Sequence, residues 1–191
     1  MSRSLVKIPS RLPGPNRMAV AVLMTCAYLA GAAMLSCESG ESTMSDEKKL
    51  ERIEILYQKY HRKFPEVEGI TAEELMAELG EGADLVLVDV RKPEEQAVSM
   101  IPGALTQSEF EEQEAALAGR TVITYCTAGY RSGLYAKRLQ KMGWHVLNLE
   151  GSLLAWTHAG GTLVDAEGTT NRIHVYSPDW SLEASGYEPV W

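Results

Sequence analysis

The chain reads as an α/β protein built on a parallel sheet with helices on both faces, and three observations lead there. Three short runs, "LVLVDV" (85–90), "TVITY" (121–125) and "HVLNL" (145–149), are β-branched and apolar on both faces. That is the pattern of strands covered on both sides. Between the last two lies "SGLYAKRLQKMG", a helical stretch closed by Gly143, so that 122–149 reads strand, helix, strand. Such a crossover joins parallel neighbours. Finally, 191 residues, or about 150 once a leader is set aside, is about one domain and one core by the usual size prior.

Taken from the first residue, "MSRSLVKIPSRLPGPNR" is cationic and punctuated by proline, and the next eighteen residues, "MAVAVLMTCAYLAGAAML", carry no charge. This is the order of an export signal. The apolar run is also long enough to span a membrane. "MLSCESG" then resembles a bacterial lipoprotein box, with Ser36 before a lipidated Cys37 and Leu35 bulkier than the box prefers. A lipoprotein, an uncleaved anchor and simple cleavage near Ala32 all stay open, and each exports the domain. The expectation is a targeting segment over 1–37 that tethers the protein to a membrane on the periplasmic or outer face of the cell envelope. "ESGESTMSDEKK" (38–49) is small and polar, which marks a linker. Within its end, Ser45 is placed as an N-cap before Asp46 and Glu47, and Leu50, Ile53, Leu56, Tyr57 and Tyr60 follow at helical spacing. Thr71 with Glu74 makes a capping box for a second helix, which Gly80 and Gly82 end.

Charge excludes some functions. The net charge is −8, and no acid precedes Cys37, so 14 lysines and arginines face all 26 acids in the remainder. A surface so acidic repels phosphate backbones and anionic headgroups, which argues against a nucleic-acid partner. An anionic substrate must be held by a local site.

Cys126 is the best candidate for that site. Cys26 falls inside the apolar run and reads as a small hydrophobe, while Cys37 ends it, so Cys126 is the one thiol expected in the folded part. It stands at the carboxyl end of an interior strand, where open α/β sheets place their ligand crevice. In "CTAGYRS", Gly129 allows a left-handed backbone, and the residues after it open a helix. The amides of 127–132 can then ring the sulfur, and with the helix dipole and Arg131 they would favour the thiolate. The bland reading is a buried, inert thiol. The histidines at 61, 145, 158 and 174 have no metal spacing, and no metal or other cofactor is expected.

Together, "ITAEEL", "LVLVDVRKPEE", "IPGA", "VITYCTAGYRS" and "NLEGSLLAW" followed by "HAGG" resemble the rhodanese-like family of sulfurtransferases, in the family's order, over about 69–161. The resemblance implies a rhodanese-like fold, a persulfide at Cys126 and a cradle made by Thr127, Ala128, Gly129, Tyr130, Arg131 and Ser132. It implies a small anionic donor such as thiosulfate and a thiol or cyanide acceptor, and it leaves any protein partner unnamed. Asp89 and Arg91 match the family's "DVR", as an ion pair steadying the loops or as part of the site. Tyr130 either selects substrate or covers apolar surface.

Some positions depart from the family pattern. Ser99 and Met100 replace a glycine and a histidine, Ser152 replaces the second glycine of "EGG", and Thr127 stands where many members carry a basic residue. The C-x4-R spacing fits sulfur transfer, whereas phosphatases and arsenate reductases of this fold carry C-x5-R, and fold alone does not separate them. The rivals are an anion- or partner-binding module without turnover and a persulfide carrier in a relay. The expected domain runs over 50–161. The tail, 162–191, lies beyond the resemblance, and its aromatics Tyr176, Trp180, Tyr187 and Trp191 call either for packing on the domain or for a docking partner.

Overall fold

The computed structural model describes residues 44–191. The targeting segment 1–37, with Cys37, and the linker up to residue 43 lie outside the described residues. Strand β1 (Gly69–Ile70), β2 (Leu85–Asp89), β3 (Leu105–Thr106), β4 (Thr121–Tyr125) and β5 (Val146–Leu149) form one sheet in the order β1-β5-β4-β2-β3. Every pairing in it is parallel.

Side chains alternate across the sheet, and the two cores follow from that period of two. Leu87, Ile123, Tyr125 and Leu149 face one side, where they meet Ile53 of α1 (Asp46–His61), Leu75 of α2 (Ala72–Gly80) and Leu153 of α6 (Ser152–His158). Val86, Val88, Val122 and Val146 face the other side. There they meet Phe110 of α4 (Gln107–Leu117) and Ala136 and Leu139 of α5 (Tyr130–Lys141). Helices thus cover both faces, as the two-sided apolar runs predict. No helix among the described residues is long and apolar enough to cross a membrane.

The linker is shorter than expected. Residues 46–49 are the first turn of α1, because Asp46 and Glu47 suit a helix start and Lys49 is held by the tail through its Nζ on the Glu183 carbonyl at 2.8 Å. Ser45 takes the N-cap position, yet its hydroxyl caps nothing; the Asp46 carboxylate accepts instead from the Ser185 amide at 2.9 Å. The capping box of Thr71 and Glu74 forms as read.

The tail packs onto the domain. It contributes a hairpin of β6 (Leu163–Asp165) and β7 (Gly168–Thr170), then β8 (Arg172–His174) beside β9 (Glu188–Val190). Ile173, Val175 and Leu182 are buried and Trp180 and Tyr187 pack against the same core, while Tyr176 is 48% and Trp191 63% exposed.

Candidate functional site

Strand register brings two loops together at the carboxyl edge of the sheet. Asp89 ends β2 opposite Tyr125 at the end of β4, so the chain leaves both strands side by side and Val90 donates to the Tyr125 carbonyl at 3.0 Å. Cys126 follows directly and is 2% exposed.

Three hydrogen bonds tie this turn to the start of α6. The Cys126 amide donates to Ser152 Oγ at 3.1 Å, while the amides of Leu153 and Leu154 donate to the carbonyls of Cys126 and Thr127 at 3.2 and 3.1 Å. With those carbonyls drawn outward, the amides that follow turn inward. Gly129 N–H reaches Cys126 Sγ at 3.2 Å, and the Ser132 hydroxyl does so at 3.5 Å. Gly129 needs its φ of 94° to make this turn, and a Cβ there would come within 2.9 Å of the Tyr57 ring. Its carbonyl accepts from Asn148 Nδ2 at 3.0 Å, which fixes the peptide from the far side.

The electrostatics follow from this geometry. Burial pushes the Cys126 thiol up, but the Ser132 hydroxyl and amide, the Arg131 charge and the Gly129 amide together outweigh it and hold the thiol below its usual value. The start of α5, directly after Gly129, adds a dipole of the same sense. A thiolate favoured in this way is a nucleophile and an anion acceptor at once.

Arg131 does not reach into the cradle as a free cation. Its guanidinium makes a two-pronged pair with Glu95, at 2.6 and 2.7 Å, from the short helix α3 (Pro93–Gln96). The Thr127 hydroxyl accepts from Arg131 and donates to Glu95, both at 3.3 Å, so Thr127 faces this pair rather than the sulfur. Burial raises the Glu95 carboxyl, but Arg131, the Lys92 amide and Arg91 overcome that and bring it to about 2. Tyr176 from the tail lies over the Arg131 guanidinium, 5.2 Å from its ring centroid, and His174 Nδ1 is 4.0 Å from Glu95. Tyr130 is 41% exposed and packs on Tyr60 of α1, with ring centroids 5.2 Å apart. Ala128 is buried.

Asp89 and Arg91 form a separate pair. Their side chains are fully buried and 2.6 Å apart, the Arg91 amide also donates to Asp89, and the guanidinium reaches the Ser99 carbonyl. Neither makes a hydrogen bond to Cys126 or to its loop. Ser99 is thus a backbone acceptor for Arg91, and Met100 pairs antiparallel with Val164 of the tail. No group of three histidine, cysteine or acidic side chains is placed to hold a metal among the described residues.

Of the residues singled out in the sequence, Cys126, Gly129 and Ser132 meet at the sulfur; Thr127 and Arg131 meet at Glu95; Tyr130 lies on the rim. Glu95 and Asn148 lie within quoted motifs but carried no role there, and His174 and Tyr176 lie outside the motifs. Ser152 was marked only as a departure from a glycine.

Known proteins are similar to this chain. The Rhodanese-like domain family matches residues 71–159. A protein named sulfurtransferase from Allochromatium vinosum is 36% identical over 112 residues, which cover 53% of this chain and 99% of that protein. A tRNA uridine(34) hydroxylase of Xanthomonas oryzae pv. oryzae is 33% identical over 112 residues, 53% of this chain and 43% of the hydroxylase. Among solved structures, a thiosulfate sulfurtransferase from Pseudomonas aeruginosa is similar with a TM-score of 0.49 and 27% identity, over 71% of this chain and 26% of that one.

Proposed function

The chain belongs to the rhodanese-like family, and from that premise we propose that it is a sulfurtransferase carrying a sulfane sulfur on Cys126. One observation carries the reading. The Cys126 sulfur accepts from the Gly129 amide and the Ser132 hydroxyl at the start of a helix, which stabilises negative charge on the attacking thiolate and again on the same sulfur as it is released from the persulfide.

With thiosulfate as the donor, the thiolate attacks the outer sulfur. The Cys126 S–S bond forms, the S–S bond of thiosulfate breaks, and sulfite leaves with the bonding pair. A cyanide or thiolate acceptor then attacks the outer sulfur of the persulfide, departs with it, and returns Cys126 as thiolate. Two easier displacements replace one. The donor's charge meets a mouth in which Arg131 is already matched by Glu95, so the amides and the helix start do most of the anion binding.

Intact-mass measurement after incubation with thiosulfate tests this. The wild-type chain should gain one sulfur atom that cyanide removes, and Cys126→Ser should gain none at this position, since an alcohol lacks the thiolate character and polarizable sulfur the transfer uses. A chain that stays unmodified by thiosulfate and organic persulfides alike while still binding anions would be a binding module.

For residues 1–37 the same proposal places the domain outside the cytoplasmic membrane on a lipid attached at Cys37, a reading supported by the cationic start, the uncharged run and the Ser36-Cys37 pair.

A further inference from the structure

We propose that Ser152 is a positioning residue for the sulfur chemistry, its hydroxyl holding the Cys126 amide and offering the Ser132 hydroxyl a second acceptor beside the sulfur. The consequence for turnover rests on the sulfurtransferase reading; the consequence for the thiol does not.

Ser152 is out of place by backbone rules. Among the described residues it is the one non-glycine with a left-handed backbone, φ 52°, and it directly follows Gly151 at φ 63°. A side chain with a Cβ is disfavoured there and persists only where its surroundings hold it. Glycine, the residue of the family pattern, would sit at this φ without strain. Something the hydroxyl does must compensate.

Its bonds show what that is. Ser152 is fully buried, and its Oγ accepts from the Cys126 amide at 3.1 Å while donating to the Leu149 carbonyl at 3.2 Å. Without it the nucleophile's own N–H would be left in the interior with no acceptor, and a buried donor in that state is costly. The second role concerns Ser132. Its Oγ lies 3.5 Å from Cys126 Sγ and 3.5 Å from Ser152 Oγ. A serine has one proton to give, and Ser152 has committed its own to Leu149, so toward Ser132 it can only accept. The Ser132 proton therefore has two acceptors at equal distance. A thiolate draws it to sulfur; a neutral thiol, or the uncharged inner sulfur of a persulfide, releases it to Ser152. The hydroxyl stays satisfied in either state and does not need to leave the site between steps, which is what preorganised stabilisation of a developing charge requires.

The test uses the full chain and reads Cys126 by the mass of the peptide that carries it. Iodoacetamide modification of Cys126 is followed against pH in wild type, Ser152→Gly, Ser152→Ala, Ser132→Ala and the Ser132→Ala/Ser152→Gly double variant. In both Ser152 variants the apparent thiol pKa should fall by about half a unit, because the neutral thiol loses the arrangement in which Ser132 bonds Ser152, and kcat for sulfur transfer should fall about fivefold at unchanged KM with the Cys126 amide unheld, the scale of one hydrogen bond. Ser152→Ala should melt below Ser152→Gly, because alanine keeps the strained φ and glycine relieves it. The double variant should titrate with Ser132→Ala alone. A wild-type thiol titration in Ser152→Gly overturns the proposal even if that variant melts lower, since a structural role would stop at stability. So do additive shifts in the double variant, which would remove Ser132 from the route, and unequal thiol titrations of the glycine and alanine variants, which would assign the effect to strain. A shifted thiol in a protein that transfers no sulfur at all would instead leave this inference standing and end the sulfurtransferase reading.

Discussion

Two arginine–carboxylate pairs lie at the carboxyl edge of the same sheet, and they do different work. Arg91 and Asp89 are two residues apart in sequence and fully buried, with side chains held by each other and by the Ser99 carbonyl. Arg131 and Glu95 are 36 residues apart, join two separate elements, and leave the guanidinium 28% exposed under Tyr176. The first pair is local, and its partners cannot drift apart, so it stiffens the end of β2 where that packs beside Tyr125 of β4. The second fastens α3 to the cysteine loop, and its charge lies close enough to Cys126 to be among the causes that lower the thiol. Arginine beside an acid is the same chemistry in both places. Sequence separation and exposure decide whether it sets a local shape or the potential at a reactive atom.

The largest effect expected from breaking this contrast is on stability. Asp89→Ala leaves the Arg91 guanidinium buried with its countercharge gone, and losing one partner of a buried pair costs about 3–5 kcal/mol. Urea unfolding should show that loss in the midpoint, while the pH dependence of Cys126 alkylation in the folded variant stays close to wild type. A variant of full stability, or one whose thiol pKa moves strongly, would merge the two pairs into one network.

A smaller effect should separate the second pair by its pH dependence. Glu95 is held at about 2 in the fold against an ordinary carboxyl value near 4.5. A depressed carboxyl contributes stability that is fully present above its unfolded value and is lost as pH falls through the folded value. Wild type should therefore lose stability between about pH 5 and pH 2, and Glu95→Gln should flatten that part of the curve. At neutral pH the same variant leaves Arg131 without its countercharge, so the Cys126 thiol should titrate lower still. An unchanged acid profile in Glu95→Gln would mean that other carboxylates carry the acid sensitivity.

How much of this was legible differs between the two pairs as well. Asp89 and Arg91 stand two residues apart, and the family pattern "DVR" marks them, so a local motif was enough to find a local pair. Glu95 sits in "RKPEE" among acids of equal appearance, and only the fold brings α3 against the cysteine loop. The strands β2, β4 and β5 were readable because burial on both faces writes a continuous apolar run. By contrast β1 and β3, at two residues each, are too short to carry any period. Ser152 was visible as a substitution for glycine, but its role depends on the Cys126 amide arriving within hydrogen-bond distance from another strand. In the tail the aromatics divide: Trp180 and Tyr187 pack on the core beside Ile173, Val175 and Leu182, whereas Trp191 is exposed and Tyr176 lies over a cation.

That placement of Tyr176 gives the smallest of the expected effects. Its ring lies 5.2 Å from the Arg131 guanidinium and meets Trp180 edge-on at 5.6 Å, so it is positioned from within the tail and meets the site at Arg131 and beside the Thr127 side chain. A cation–π contact at such a half-exposed place contributes about 0.5–1 kcal/mol. Arg131 is already held by two charge-assisted hydrogen bonds to Glu95, and these decide where it points. Tyr176→Leu, which keeps apolar bulk and removes the π face, should then change KM for an anionic donor by about two- to fivefold at most, with kcat preserved. The contact should matter more once its competitor is gone: in a Glu95→Gln background the same substitution should cost more than it does alone, because the ring is then a main remaining anchor of the guanidinium. Paired steady-state kinetics on the four proteins of this cycle measure the difference directly. Additive effects would show that Tyr176 and Glu95 do not share Arg131. A loss well above tenfold from Tyr176→Leu alone would move the tail from a support of the arginine to a wall of the substrate site, and the contrast between the two arginines would then have to include what the tail itself binds.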